Sequence, residues 1–160
     1  FRLTLGLTFV MHGSQWVFGW FGGQGLKGAE ASVVRIGFRP VWLWKWLASL
    51  GQFLGGIMVT LGFFTVLGCA LIITEMVVAI FSTKVGKWYW NREGGYEFEL
   101  TLSGMALGIG FAGPGPFSFD AAFLPQIVSP QLFLVALVVS LAVAAMGFAS
   151  RQPAQQHAQH

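Results

Sequence analysis

The 160 residues are 55% hydrophobic and only 9% charged, with a mean hydropathy of +0.68, 16 Phe, 7 Trp and 22 Gly. Soluble domains carry roughly 25% charged residues, so this balance excludes an ordinary water-soluble domain and points to a chain that lives in a bilayer. The formal net charge of +3 comes from nine Lys and Arg against six Asp and Glu spread over connections, which reads as topology and headgroup contact and excludes a nucleic-acid surface.

In chain order, residues 3–20 (LTLGLTFVMHGSQWVFGW) are apolar, carry one His and end in aromatics suited to a membrane interface, which predicts a first transmembrane helix. The chain opens on Phe1 with Arg2 already at the edge of that segment, so a processed or missing N-terminus is expected. Residues 21–42 are Gly-rich and carry Lys27, Glu30, Arg35 and Arg39; this composition predicts a long loop. A second span follows over 43–62, where Gly51, Gly55 and Gly56 let helix backbones approach closely. The uncharged FFTV at 63–66 allows only a tight turn before a third span that ends near Lys84.

Residues 84–96 (KVGKWYWNREGGY) mix charge, aromatics and a Gly pair, the pattern of an interfacial loop. A fourth span is predicted from Glu97 to Ala112. Residues 113–130 hold four of the six prolines and cannot be a regular span, so an exposed or re-entrant connection is expected. The most uniformly apolar stretch, 131–149, predicts a fifth span, and a polar tail closes the chain. The fold class is therefore all-α, an integral membrane helical bundle with five spans.

With five spans, the first loop, the third loop and the tail share one side and hold Lys27, Arg35, Arg39, Lys45, Lys84, Lys87, Arg92 and Arg151, against Arg2 alone on the other. The positive-inside rule makes those loops cytoplasmic. A multi-pass protein of a bacterial or archaeal inner membrane is the expected localisation.

An ionisable group within a span is expensive and marks a site or a lock. Glu75 in LIITEMVVAIF is the sharpest such group. At about 1.5 Å per residue it lies roughly 13 Å from Lys84, while His12 lies roughly 10 Å from Gly19 and Gln52 roughly 12 Å from Trp44. The three share a depth and a side, so one polar cluster of His12, Gln52 and Glu75 is expected. It would either bind a quinone headgroup or relay protons, or else hydrogen-bond internally and lock helices together.

Half of the acidic residues, Glu93, Glu97 and Glu99, stand in NREGGYEFELTL before the fourth span. Negative charge in a first helical turn complements the free N–H groups there, so Glu97 and Glu99 are expected to cap the helix and pair with Lys84 or Lys87, Glu97 facing inward. No catalytic group is assigned. The lone Cys69 excludes an intramolecular disulfide and a CxxC redox pair and is expected as a small buried hydrophobe. No metal site is expected either, because His12 has no partner at ligand spacing and His157 and His160 fall in a tail expected to be disordered. FGGQGLKG lacks the GKS or GKT ending of a phosphate loop. The Trp and Phe residues at 16, 18, 20, 21, 42, 44, 46, 88 and 90 cluster at interfaces, as a headgroup belt or as a docking face for a quinone tail, a pigment or a neighbouring subunit.

Six short motifs, in this order and spacing, make the chain resemble the DoxX family of small membrane proteins from about Leu3 to Asp120. They are HG at His12 and Gly13, GWFGGQGL at 19–26, GFRP ending at Pro40, GGIMVTLGFFT at 55–65, GGYEFEL at 94–100 and GPGPFSFD ending at Asp120. The resemblance implies a four-helix bundle over 1–120, a connection and an additional transmembrane helix over 121–150, and a polar tail over 151–160. It also implies a link to redox enzymes. Departures fall on polar positions: Gln52 stands where the family usually has Glu, Lys84 where a His commonly follows the third span, and Trp16 where Lys is frequent.

Because those departures remove a proton acceptor and an imidazole, the expected function is a DoxX-like integral subunit of a larger redox or energy-converting membrane complex, structural or assembling rather than catalytic. The alternative is a quinone-interacting membrane subunit resembling the thiosulfate:quinone oxidoreductase type. Expected partners are other integral membrane subunits and lipid. No covalent cofactor is expected, only quinone, lipid or pigment at the bundle surface.

Overall fold

The computed structural model describes residues 1–152. Among them the chain is helical, without a strand: α1 Arg2–Val17, α2 Gly25–Ile36, α3 Val41–Leu61, α4 Thr65–Ala79 continued by a π turn Ile80–Lys84, α5 Glu97–Ala112, α6 Phe119–Phe123 and α7 Pro130–Ala149. Short 3-10 turns occupy Asn91–Glu93 and Pro125–Ile127. His157 and His160 lie outside the described residues.

Each long helix stops where its sequence withdraws support. Gly62 takes a left-handed conformation (φ 68°) and its N–H turns back to the carbonyls of Met58 and Val59, ending α3. After Phe63 and Phe64 the chain re-enters helix at Thr65, so the predicted tight turn is present. Ser129 caps α7 by accepting from Leu132 N, and Pro130 stands at the first helical position, where its missing N–H costs nothing.

α4 sits at the centre and packs on α3, α5 and α7, while α1 lies along α3. The buried core joins Leu5 and Phe9 of α1, Val59 of α3, Cys69 and Ile72 of α4, Ala106 of α5 and Phe133 of α7. Among the described residues, only α4 with its π turn (Thr65–Lys84) and α7 are both long and apolar enough to cross a membrane on those two criteria. The 16 residues of α1 and of α5 reach about 24 Å each, short of the ~30 Å core.

One expectation fails outright. Residues 25–36, expected within a loop, form α2. The glycines counted against helix fall at its ends, where Gly25 (φ 61°) opens it and Gly37 (φ 88°) closes it, leaving Gly28 as the single interior one. Its Ala29 and Val33, four apart, are both buried against the bundle, so packing on α3 and α1 outweighs composition. The connection 113–129 also holds local structure, the short α6 and a 3-10 turn.

The up-and-down path gathers the ends into two faces. At one, the starts of α1, α4 and α7 meet the ends of α3 and α5 under residues 113–129. At the other lie α2, the 84–96 loop and all seven Trp. A buried orphan marks the second end: Ser49 is fully buried on α3, and its hydroxyl has no hydrogen-bond partner among the described residues. Ser49→Ala removes an unsatisfied polar atom, so thermal unfolding in detergent is expected to show stability unchanged or raised by up to ~1 kcal/mol; a clear loss would mean the hydroxyl has a partner after all.

Candidate functional site

A cavity of ≈520 Å³ lies between α2, α3, α4 and α7. Ile36, Phe38 and Trp44 wall it near the tryptophan end and Leu71, Ala136 and Val139 further along. Two strong polar side chains face it from mid-helix, Gln52 of α3 and Glu75 of α4. Volume and lining match the usual form of a small-molecule site, mostly apolar with a few placed polar groups.

The local sequence makes room for that carboxyl. A Cβ placed on Gly51 would stand 3.0 Å from Glu75 Oε1, so glycine at 51 leaves the space that Glu75 occupies against α3. The Gln52 side-chain amide shares the cavity wall with the carboxyl. Next to Glu75 on the cavity wall, Thr74 Oγ1 donates to Ser140 Oγ (2.8 Å), tying α4 to α7, and Ser140 Oγ in turn donates to Leu137 O (3.0 Å) within α7. A carboxyl and an amide on the wall of an apolar slot can give and take hydrogen bonds with a polar headgroup whose tail runs along the slot.

His12 is not brought to this cavity. It is exposed on the other face of α1, its ring centroid 6.5 Å from that of Phe98 on α5. Equal depth placed it in the cluster, but depth says nothing of azimuth. Gly13 beside it packs on Phe53 of α3, and one residue is a rotation of about 100°. Trp16, one turn on from Gly13, is the α1 residue that lines the cavity.

The acidic stretch resolves differently from expectation. Glu99, not Glu97, faces inward: Lys84 Nζ lies 3.5 Å from Glu99 Oε1 and donates to Gly95 O at 2.9 Å, with the Lys84 and Glu99 side chains 18% and 12% exposed. Glu97 instead turns back on the loop, its Oε2 accepting from Asn91 N (3.0 Å) while its own N–H donates to Tyr89 O (3.0 Å). Lys87 rests beside Gly94. The signal was in the sequence, since Leu102, Ser103, Ala106, Ile109 and Gly110 form the buried stripe of α5, and Glu99 stands three and four residues before its first members.

The buried acid that sequence reasoning passed over is Asp120, 1% exposed. Its Oδ1 accepts from Phe64 N (2.7 Å), and its Oδ2 accepts from Thr65 N (2.8 Å) and Thr65 Oγ1 (2.7 Å). It is the cap of α4, delivered from 55 residues away. Among the described residues no group of three or more His, Cys, Asp or Glu could hold a metal ion.

A helical chain of this apolarity, with a carboxyl and an amide set into an apolar slot between its helices, is a helical membrane protein. Residues 1–85 match the DoxX family, 85 of the 160 residues, and the chain belongs to that family. The match takes in α1 to α4 and the π turn, hence Gln52, Glu75 and Lys84, and ends before the 94–100 and 113–120 motifs. No curated protein and no solved structure matches the chain.

Proposed function

We propose that this DoxX-family protein is an integral subunit of a larger redox membrane complex and holds a quinone in the slot between α2, α3, α4 and α7. The observation that carries this reading is the ≈520 Å³ apolar cavity with Glu75 and Gln52 facing it from mid-helix. The Gln52 amide donates to a quinone carbonyl, and the Glu75 carboxyl passes the protons that reduction to quinol consumes. The two electrons come from a redox centre on a partner chain, so this chain orients and protonates but does not itself carry electrons. Gln52 cannot titrate, which leaves Glu75 as the proton-exchanging group of the pair.

The long helices are read as five crossings, with the tryptophan-rich end, which holds eight of the nine Lys and Arg, on the cytoplasmic side of a bacterial or archaeal inner membrane. The outer face of α7, where Val135, Val138 and Met146 are exposed, is the surface offered to neighbouring membrane subunits. A purely assembling role is the second reading, supported by the Thr74 to Ser140 tie beside the slot.

Glu75→Gln separates the two. Its volume and hydrogen-bonding reach are nearly those of Glu, so assembly of the complex is expected to be retained. Quinone-linked electron transfer is expected to fall by ~10²-fold or more, the lower range for losing a positioned acid or base. Unchanged assembly together with unchanged electron transfer in isolated membranes would leave only the structural role.

A further inference from the structure

We infer that residues 113–129 form a re-entrant cap seated in the glycerol and upper acyl layer of the bilayer, with lipid as the partner of its exposed phenylalanines. The membrane reading of the family carries this placement, which is independent of what the cavity binds.

Polar backbone outside a helix is tolerated at membrane depth only where its groups are satisfied. This segment meets that condition through α6 and the turns on either side of it. Prolines at 114, 116 and 125 have no N–H to satisfy. The N–H groups of Gly113, Asp120, Ala121, Ala122, Leu124, Ile127 and Val128 all donate within the protein. The carbonyls of Pro114 and Phe117 accept from the Arg2 guanidinium, at 2.8 and 2.5 Å. The segment's single charged residue, Asp120, is spent internally on Phe64 and Thr65.

What remains on the outside is mainly apolar, with Gln126 the one exposed side chain that keeps a polar group for the headgroup layer. Phe117 is 90% exposed and Phe123 72%, and Phe119 stacks on Phe123 with ring centroids 6.0 Å apart. All seven Trp, both Tyr and eight of the nine Lys and Arg belong to the opposite end, so this end lacks the belt that usually marks a water boundary and keeps one cation, Arg2, which is spent on the carbonyls of the cap. Helix length agrees: α1 and α5, at about 24 Å, fall short of a ~30 Å core, and seating the cap below the water boundary makes up the difference. The N–H groups of Gly115, Phe117, Ser118, Phe119, Gln126 and Ser129, which no protein acceptor takes among the described residues, set the depth at the carbonyl level rather than the core.

Single cysteines at Phe117 and Phe123, with one at Arg92 in the exposed loop of the opposite end, test the placement in the full chain reconstituted in phosphatidylcholine vesicles. Cys69 is buried, and the parent chain reports its background. Labelled with an environment-sensitive fluorophore, positions 117 and 123 are expected to be quenched by lipid carrying a nitroxide high on its acyl chain and to resist an impermeant maleimide present on both sides. Position 92 is expected to react readily and to escape quenching. Maleimide reaction at 117 and 123 as fast as at 92 would overturn the inference. So would protection in native membranes combined with free reaction in lipid vesicles, which would assign the cap to a protein partner.

Discussion

Replacing Asp120 with Ala is expected to destabilise the protein by about 3–5 kcal/mol, more than any other single polar change, because it removes a buried charged acceptor and strands three donors. The turn between α3 and α4 is so short that the helix supplies no cap of its own. Phe64 occupies the cap position in a left-handed conformation (φ 50°) and has no side chain to accept from the first N–H groups. Asp120 takes that place from the 113–129 segment, bonding Phe64 N, Thr65 N and the Thr65 hydroxyl. Negative charge here also opposes the partial positive charge of the helix start. Asp120→Asn keeps the shape and one acceptor oxygen but turns an amide NH₂ toward a donor, so an intermediate loss is expected. Thermal unfolding of the detergent-solubilised variants measures both; a melting temperature unchanged in Asp120→Ala would refute the capping role.

Gly56→Val is expected to be the most damaging packing change, at or beyond the upper end of the ~1–3 kcal/mol typical of overpacked cores. A Cβ at 56 would come within 2.5 Å of Val10 N, 2.8 Å of Phe9 C and 2.9 Å of Gly6 O, all backbone atoms that no rotamer change can clear. Gly6 presses in the same way on Thr60 and Gly13 on Phe53, so α1 and α3 meet backbone to backbone along their length. A side chain at 56 must therefore push the whole of α1 away from Val59 and the core. Gly104 and Gly108 of α5 provide the internal control. Nothing lies within 4 Å of a Cβ at either, so Gly104→Ala and Gly108→Ala are expected to be neutral or to gain up to ~1 kcal/mol from helix propensity. Equal melting of Gly56→Val and Gly108→Ala would contradict the close-packed α1 and α3 seam.

The long helices were legible because apolar runs and their breakers are local signals. The fourth and fifth expected spans, α5 (Glu97–Ala112) and α7 (Pro130–Ala149), fall within a residue of where hydrophobicity places them. α2 was not legible from composition, since its glycines argue against helix until their positions at the two ends are known. Pairing of side chains was harder still. Depth along a helix can be counted from sequence, and Gln52 and Glu75, matched in that way, both line the cavity. Azimuth needs a packed neighbour, so His12 was placed with them although it points toward Phe98. Glu99 and Glu97 exchanged roles for the same reason, and the buried stripe of α5 is the sequence signal that distinguishes them. Asp120 was visible only as the end of a motif, because its purpose lies at a helix start 55 residues earlier.

These elements make the slot possible. Gly51 yields space for Glu75, α2 closes one side over Val33 and Phe38, and the Thr74 to Ser140 bond holds α7 in place on another. The capping of α4 by Asp120 fixes the helix that carries Glu75. Stability and site are thus coupled through α4, and Asp120 variants are expected to lose ligand only as they lose fold.

The most direct test of the quinone slot is to measure, by extraction and chromatography, the quinone retained by the complex purified in mild detergent from cells carrying the native chain or Ala48→Trp. Ala48 lines the cavity one turn before Gln52, and an indole there fills the space a headgroup would take. Stoichiometric quinone with the native chain, and its loss from an Ala48→Trp complex that still assembles with all its subunits, is the predicted result. Equal quinone in the two preparations would contradict a quinone in this slot.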